Sequence, residues 1–351
     1  MHLIVNPAAA GGRLGREWPR LRGRLAAAGL DLPWSLTRAP GHASELAEEA
    51  VAAGAEVVVA AGGDGTICEV LQGLHRAGRG ALAILPLGTG NDAARTLGLP
   101  LRIDEAASVV RVGHRRRVDL MRAGDRVVLN AIGIGLLGAI NVNAQSVKWA
   151  RGIGAYLVAA TGTLFDYACP SIELVDGDFR YAGPMTILAI HNGPTTGGGF
   201  RLCPGAVADD GRLDATLVTG TGVASRLAAL SHAMRGTLDR KPFTRELTFR
   251  RLELRCTERL PFHWDGNPAH IEPPGMTFEI LPRAIEAARA KWPDLSITGS
   301  DPWTSPERAL VEASEGAHLV VVGSKRVSGL ERLLLGRSAL AVSMHAKCPV
   351  V

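Results

Sequence analysis

The stretch "EVVVAAGGDGTICEVLQGLHRAG", residues 56–78, constrains the fold more than any other part of this chain. Residues 57–61 are apolar with no polar alternation, as in a parallel-sheet strand buried on both faces. After the glycines, Ile67, Val70, Leu71 and Leu74 fall at i, i+3, i+4 and i+7, one face of a helix. A strand that turns through glycine into a helix is half of a βαβ unit. The same alternation recurs around it. "HLIV" (2–5), "WSLTR" (34–38) and "ALAIL" (81–85) read as strands, and "HASELAEEAVAAG" as a helix. We therefore expect an α/β domain over residues 1–118, a parallel sheet between two helical layers.

In such sheets ligands bind at the carboxyl ends of the strands. Residues 62–66 lie at one such end. Gly62, Gly63 and Gly65 lack a Cβ, so their amides can approach phosphate oxygens. A helix starting near Thr66 adds its positive end. Thr66 and Glu69 have capping-box spacing, which accounts for Glu69 and leaves Thr66 a second role. Asp64 differs, because a carboxylate beside phosphates is repelled unless a divalent cation lies between them; it points to Mg²⁺. Two more loops occupy equivalent positions, "NPAAAGGR" (6–13) and "PLGTGNDAAR" (86–95). Asn91 also reads as the N-cap of the helix that follows. Neither GxxxxGK[ST] nor GxGxxG occurs in these loops, which argues against a P-loop enzyme and a dinucleotide hydride site.

From about residue 118 the texture changes. Short runs such as "RVVLNAIGIG", "MTILAIHN", "LDATLVTG" and "LTFRRLELRC" alternate with Gly, Pro and Asp turns. Helical stretches fall near 148–167 and 222–238. This pattern predicts a β-sandwich over 119–283, and α/β alternation returns over 284–351. Three domains suit 351 residues. The five cysteines are odd in number and without CxxC, which favours reduced thiols in a cytoplasmic setting. The start "MHLIVNP" has no basic leader before an apolar core, so no signal peptide is expected. The formal net charge is +5, with basic clusters at 111–117 and 235–255. These suit solvated surface, or contact with anionic headgroups or phosphates. Aromatic residues are 5% and do not interleave with the arginines, which argues against nucleic acid.

At the three glycine loops the chain resembles the bacterial diacylglycerol kinase family, the lipid kinases that share a catalytic core with sphingosine and ceramide kinases. "VNPAAAGGR", "GGDGT" and "PLGTGNDAAR" carry the resemblance. It continues through "RVDL", "LNAIGIG", "PGAVADDGRLD" and "WDGNP", to about residue 283. The resemblance implies ATP, Mg²⁺ and γ-phosphoryl transfer to the hydroxyl of a lipid, diacylglycerol first. It implies a peripheral enzyme on an anionic membrane surface. By the same resemblance Asn6, Gly12, Thr37, Thr89 and the 62–66 loop (Gly62, Gly63, Asp64, Gly65, Thr66) hold the nucleotide. Asp64 binds the catalytic magnesium through water. Asp92 and Asp119 face the transferred group or the lipid headgroup. Asp210 and the carbonyl of Arg212 form part of a second magnesium site, its remaining ligand being Asp209 or Asp214.

Two departures matter. Position 10 is Ala where the family often has Gly. The family's DGE reads Asp265, Gly266, Asn267 here, so either Asp265 takes the lipid hydroxyl's proton or the enzyme is impaired. On a single strand, positions 265 and 267 would share a face. Residues 317–351 resemble half of a universal stress protein domain. Its nucleotide loop keeps Gly323 and Gly336 but has Arg326 and Arg337 at two other motif positions, which argues against ATP there. A half-domain has an uncovered edge, so either it docks on the kinase or pairs with a second copy as a homodimer, or it is a fused remnant without function. Two other readings use the same loops: an NAD kinase-like enzyme, and a non-catalytic nucleotide sensor.

Overall fold

The computed structural model describes residues 1–146 and 162–288. The stress-protein resemblance and most of the helix expected near 148–167 lie outside them. The first half is β1 (His2–Val5), α1 (Arg13–Ala27), β2 (Trp34–Leu36), α2 (His42–Ala52), β3 (Val57–Gly62), α3 (Asp64–Ala77), β4 (Ala81–Pro86), α4 (Asp92–Thr96) and α5 (Ile103–Val112). Strands β2-β1-β3-β4 pair in that order, all parallel. All six residues of β3 and all six of β4 are buried, which accounts for their unbroken apolar sequence. Leu14, Trp18, Leu21 and Leu25 give α1 a buried stripe, which packs with α5 residues on one face of the sheet. Helices α2, α3 and α4 cover the other face. Gly73 of α3 lets the two helices touch, since a Cβ there would strike the Ser44 backbone and lie 2.8 Å from Ala47 Cβ.

The second half is antiparallel. It contains β5 (Arg115–Ala123), β6 (Arg126–Val128), β7 (Ala131–Gly135), α6 (Leu136–Ser146), β8 (Ser171–Asp176), β9 (Phe179–Pro184), β10 (Ile187–His191) and β11 (Leu213–Val218). Then follow α7 (Val223–Arg235), β12 (Thr244–Phe249), β13 (Arg251–Cys256), β14 (Leu260–Trp264), β15 (Asn267–Ile271) and β16 (Gly275–Ala288). One sheet runs β12-β11-β10-β7-β14-β15. It packs on β5, β8, β13 and β16 through a core that includes Met121, Ile134, Leu188, Leu254, Phe262 and Phe278. This is the expected β-sandwich, so the chain is α/β overall, with a three-layer parallel-sheet half followed by a sandwich.

The two halves share a sheet. Strand β16 pairs with β13 through residues 275–279 and, farther on, in parallel with β4 at Glu286 and Ala287. Strand β5 accompanies it along both parts, with a register shift between Leu281 and Ile285. The sequence places a boundary after residue 283, but the strand continues to Ala288. Its final residues complete the edge of the parallel sheet beside β4.

Candidate active site

The loops after β1, β3 and β4 meet at one edge of the parallel sheet, as successive strand ends must. Asn6 Nδ2 donates to Thr66 Oγ1 at 2.9 Å, which ties the first loop to the second. The Asn6 Oδ1 also accepts the Ala8 N–H at 3.0 Å and sets the turn. The second and third loops touch through bare backbone. A Cβ on Gly63 would lie 3.2 Å from Gly88 Cα, and one on Gly88 would collide with Gly63. Asn91 occupies the N-cap position of α4 in the left-handed region, φ 56°, but caps nothing with its side chain. It instead accepts the Gly88 N–H at 3.0 Å and donates to the Gly88 carbonyl at 3.2 Å, which fixes the third loop.

Helix α3 begins at Asp64, two residues before the expected start, so Thr66 is inside its first turn and no capping box forms. Glu69 has another partner: its Oε2 accepts the Ala43 N–H of α2 at 3.2 Å. The remaining predicted nucleotide residues line the same edge. Gly12 is the left-handed N-cap of α1, φ 81°. Thr37 follows β2, its N–H bonded to the Val5 carbonyl at 2.9 Å. Thr89 is exposed at the tip of the third loop. A Cβ on Gly65 would meet nothing within 4 Å.

Asp64 and Asp92 converge. A Cβ on Gly90 would lie 2.9 Å from Asp64 Oδ2 and 3.4 Å from Asp92 Oδ2, so the two carboxylates flank the bare Gly90 backbone. Asp64 Oδ1 accepts the Ala93 N–H at the start of α4, 3.0 Å. Burial still pushes its carboxyl above the usual range, against the pull of that bond and of the neighbouring amides. Asp92 is 6% exposed. Its Oδ2 accepts the Gly198 N–H at 2.7 Å, while its Oδ1 is buried with no partner. Burial raises its pKa too, and the Asp64 charge adds to the effect. Two facing carboxylates with one orphaned oxygen form a centre of negative charge that a divalent cation would neutralise. Mg²⁺ keeps several waters and typically takes one or two carboxylates plus phosphate oxygens. The donor set therefore fits, although among the described residues no three His, Cys, Asp or Glu side chains form a complete cage.

The sandwich contributes Asp265. Its pKa is pushed up to about 6, chiefly by burial, with the Asp64 charge among the lesser causes, so the two carboxyls sense one another. Its Oδ1 accepts the N–H groups of Asn130 at 3.0 Å and Ala131 at 2.9 Å, and its Oδ2 that of Leu129 at 2.9 Å. Asp265 and Gly266 have φ of 44° and 82°, so the DGN element is a tight two-residue hairpin turn between β14 and β15. The expectation that positions 265 and 267 share a strand face is thus corrected. Asn267 donates to the Trp264 carbonyl at 3.2 Å and closes the hairpin.

Asp119 does not join this group. It is fully buried, its Oδ2 accepting the Gly211 N–H at 2.7 Å and its Oδ1 the Arg283 N–H at 2.6 Å. These bonds tie β5 to the 205–212 loop and to β16, and a side chain with no exposed surface does not fit contact with the transferred group. Asp210 accepts the Arg212 N–H at 2.9 Å, an Asx turn on the surface. Asp209 pairs with Arg116 at 3.2 Å and Asp214 accepts the Thr248 hydroxyl at 2.9 Å, so neither stands free as a third ligand there.

The sequence pattern did not single out one contributor. Residues 193–200, "GPTTGGGF", form a glycine loop of the sandwich, with φ of 61°, 85° and 126° at Gly197, Gly198 and Gly199. This loop supplies the N–H that holds Asp92. Thr96 donates to Asn130 Oδ1 at 2.5 Å, and Asn130 donates to the Thr195 carbonyl at 2.9 Å, which extends the link from α4 to the loop. The triple glycine was the available signal. Only the fold could show that it meets Asp92, 106 residues earlier.

Glycine loops at parallel-strand ends, facing acidic side chains and a closing sandwich define a phosphotransferase. Residues 1–123 match the diacylglycerol kinase catalytic domain, and residues 130–289 match the YegS C-terminal NAD kinase beta sandwich-like domain. This chain belongs to the YegS-like lipid kinases. It is 35% identical over 260 residues to a probable lipid kinase YegS-like of Pseudomonas syringae pv. syringae, covering 73% of this chain and 83% of that one. With the protein of the same description from Yersinia enterocolitica, identity is 30% over 291 residues, 81% and 95% of the two chains. A putative diacylglycerol kinase from Bacillus anthracis str. Sterne superposes with a TM-score of 0.68 at 28% identity, over 83% of this chain and 96% of that one.

Proposed function

We propose that this kinase transfers the γ-phosphoryl group of ATP to a hydroxyl of a membrane lipid, with diacylglycerol, giving phosphatidate, the first acceptor to test. A sphingoid base or another lipid alcohol follows. The reading rests on one observation above all: Asp64 and Asp92 face each other across Gly90, and the second domain closes on them through Gly198. Asp64 and the orphaned Asp92 oxygen would hold Mg²⁺, which when bound offsets charge on the β- and γ-phosphates. The bare backbone at Gly12, Gly63, Gly65 and Gly88 and the N-terminus of α3 receive the triphosphate.

The acceptor proton goes to Asp265. A carboxylate offers about four lone-pair sites, and three are filled by N–H groups. The remaining one, on Oδ2, takes the hydroxyl proton as its oxygen attacks phosphorus and the bond to ADP breaks. A pKa of about 6 suits a base that must be ionised near neutrality and still accept a proton.

The test is turnover of labelled ATP with Mg²⁺ on a panel of lipid alcohols and on NAD. Label should enter a lipid, and Asp64→Asn should abolish it while the protein stays folded. Label in NAD would overturn the lipid reading. ATP binding without turnover on any acceptor would make the chain a sensor.

A further inference from the structure

Helix α7 turns its buried stripe, Arg226, Ala229 and Ala233, onto the sandwich. Beside that stripe lie Leu227, 48% exposed, Leu230, 39%, and Met234, 65%. They recur at i, i+3 and i+7, the spacing that groups side chains on one side of a helix. Phe165, 56% exposed, lies in the neighbouring helical residues 162–166. The Arg226 guanidinium reaches across to the carbonyls of Leu164 at 2.8 Å, Phe165 at 3.4 Å and Tyr167 at 2.7 Å, which holds helical residues 162–166 against α7.

The cations beside α7 are Arg201 and Arg235, both exposed, and half-buried Lys241, interspersed with the acidic Asp166 and Asp239; Glu258 lies near Tyr167 and Glu246 near Asp239. The side chain of Arg201 lies against Gly236 at the end of α7. The pKa of His232 on α7 is lowered, first by desolvation and then by the charges of Lys241 and Arg235, so those cations sit near the helix.

The inner side of α7 connects to the reaction site. The Arg201 N–H bonds the Ala233 carbonyl at 2.8 Å, next to the glycine loop that ends at Phe200. Leu202 and Ala233 belong to one apolar cluster, with Phe200 packed against it. The patch is thus one helix away from the loop that holds Asp92.

We propose that Phe165, Leu227, Leu230 and Met234 form the surface by which this protein docks on a bilayer carrying anionic headgroups. The proposal rests on the lipid-kinase reading, because a lipid acceptor must be met at a membrane. Charge selects this occupant over a second copy of the chain. Symmetric self-pairing would set Arg235 and Lys241 against their own equivalents, whereas anionic headgroups complement them. Apolar side chains entering the acyl boundary and cations at the headgroups are the two halves of interfacial binding.

The experiment is co-flotation of the full chain with vesicles of phosphatidylcholine, alone or with about one part in four of phosphatidylglycerol. The parent should float with the anionic vesicles and lose binding as salt rises. Leu227→Glu with Met234→Glu should weaken that binding about tenfold or more, with unchanged melting temperature. Arg235→Glu with Lys241→Glu should remove the preference for anionic vesicles. Phosphorylation of a vesicle-borne acceptor should fall with the Leu227/Met234 pair, while turnover of a short-chain soluble acceptor holds. Unchanged flotation of both double variants overturns the proposal. So does sedimentation showing that the Leu227/Met234 pair splits a dimer without altering flotation. Absence of lipid phosphorylation in the parent counts against the kinase reading alone, because flotation is read without ATP.

Discussion

Asp265→Asn sets two opposing effects against each other. The amide oxygen of Asn can keep the Asn130 and Ala131 N–H bonds made to Oδ1, but its NH₂ then faces the Leu129 N–H, donor against donor. An unsatisfied buried N–H costs about 1–3 kcal/mol. Against that, the substitution removes a buried charge. The carboxyl rises from the usual 3.8 to about 6 on folding, and each tenfold in proton affinity is about 1.4 kcal/mol. The charged form therefore costs the folded protein about 3 kcal/mol at pH 8. A raised carboxyl pKa means that stability is fully present below the unfolded value and is lost as pH rises through about 6. At pH 8 the two effects nearly cancel, and Asp265→Asn should melt within a few degrees of the parent. By pH 5 about half of the relief has gone, and below pH 4 almost all of it, so the variant becomes the less stable protein as pH falls. If the carboxylate is the base, turnover should drop by about 10²–10⁴-fold at pH 8, and by less as pH falls through about 6, because the parent's own carboxyl then protonates. Melting curves from pH 4 to pH 8, with kcat at each, read both effects. An equal loss of stability at all pH values would refute the buried charge. Undiminished kcat would refute the base.

Two further outcomes test the site. Gly88→Ala should leave a soluble fold but weaken ATP binding at least tenfold, because its Cβ drives the third loop off the Gly63 backbone; calorimetric titration with Mg-ATP measures this, and unchanged affinity would refute the contact. Asn267→Glu should change kcat less than about threefold and cost about 1 kcal/mol, the value of a single hydrogen bond, since the side chain closes a hairpin; a tenfold rise in kcat would move the base to position 267.

The parallel half was legible because its central strands β3 and β4 are buried on both faces and a glycine loop follows each directly. Asp64 could be singled out from sequence because a carboxylate among phosphate-binding glycines is repelled by the phosphates unless a cation bridges them. Asp92 was reached through the family resemblance, but its partner was not, since Gly198 comes from another domain and no periodicity links the two. Asp119 shows the opposite case: a carboxylate in a matching motif that is wholly buried, where it accepts the Gly211 and Arg283 N–H groups. The DGN element failed as a strand because Asp and Gly are also the residues that tolerate positive φ in a tight turn. Glu69 looked like a cap for its own helix and caps its neighbour instead, a choice only tertiary packing makes.

The shared strands β5 and β16 limit how this enzyme can open. Strand β16 passes from the sandwich to the edge of the parallel sheet with β5 beside it, so the halves are joined along a two-ply spine rather than by a free linker. The spine has one soft point, the register shift between Leu281 and Ile285, where Arg283 adopts φ 48° and its N–H is clamped by Asp119. A widening of the cleft would have to deform that point, where Asp119 fastens β5 to β16.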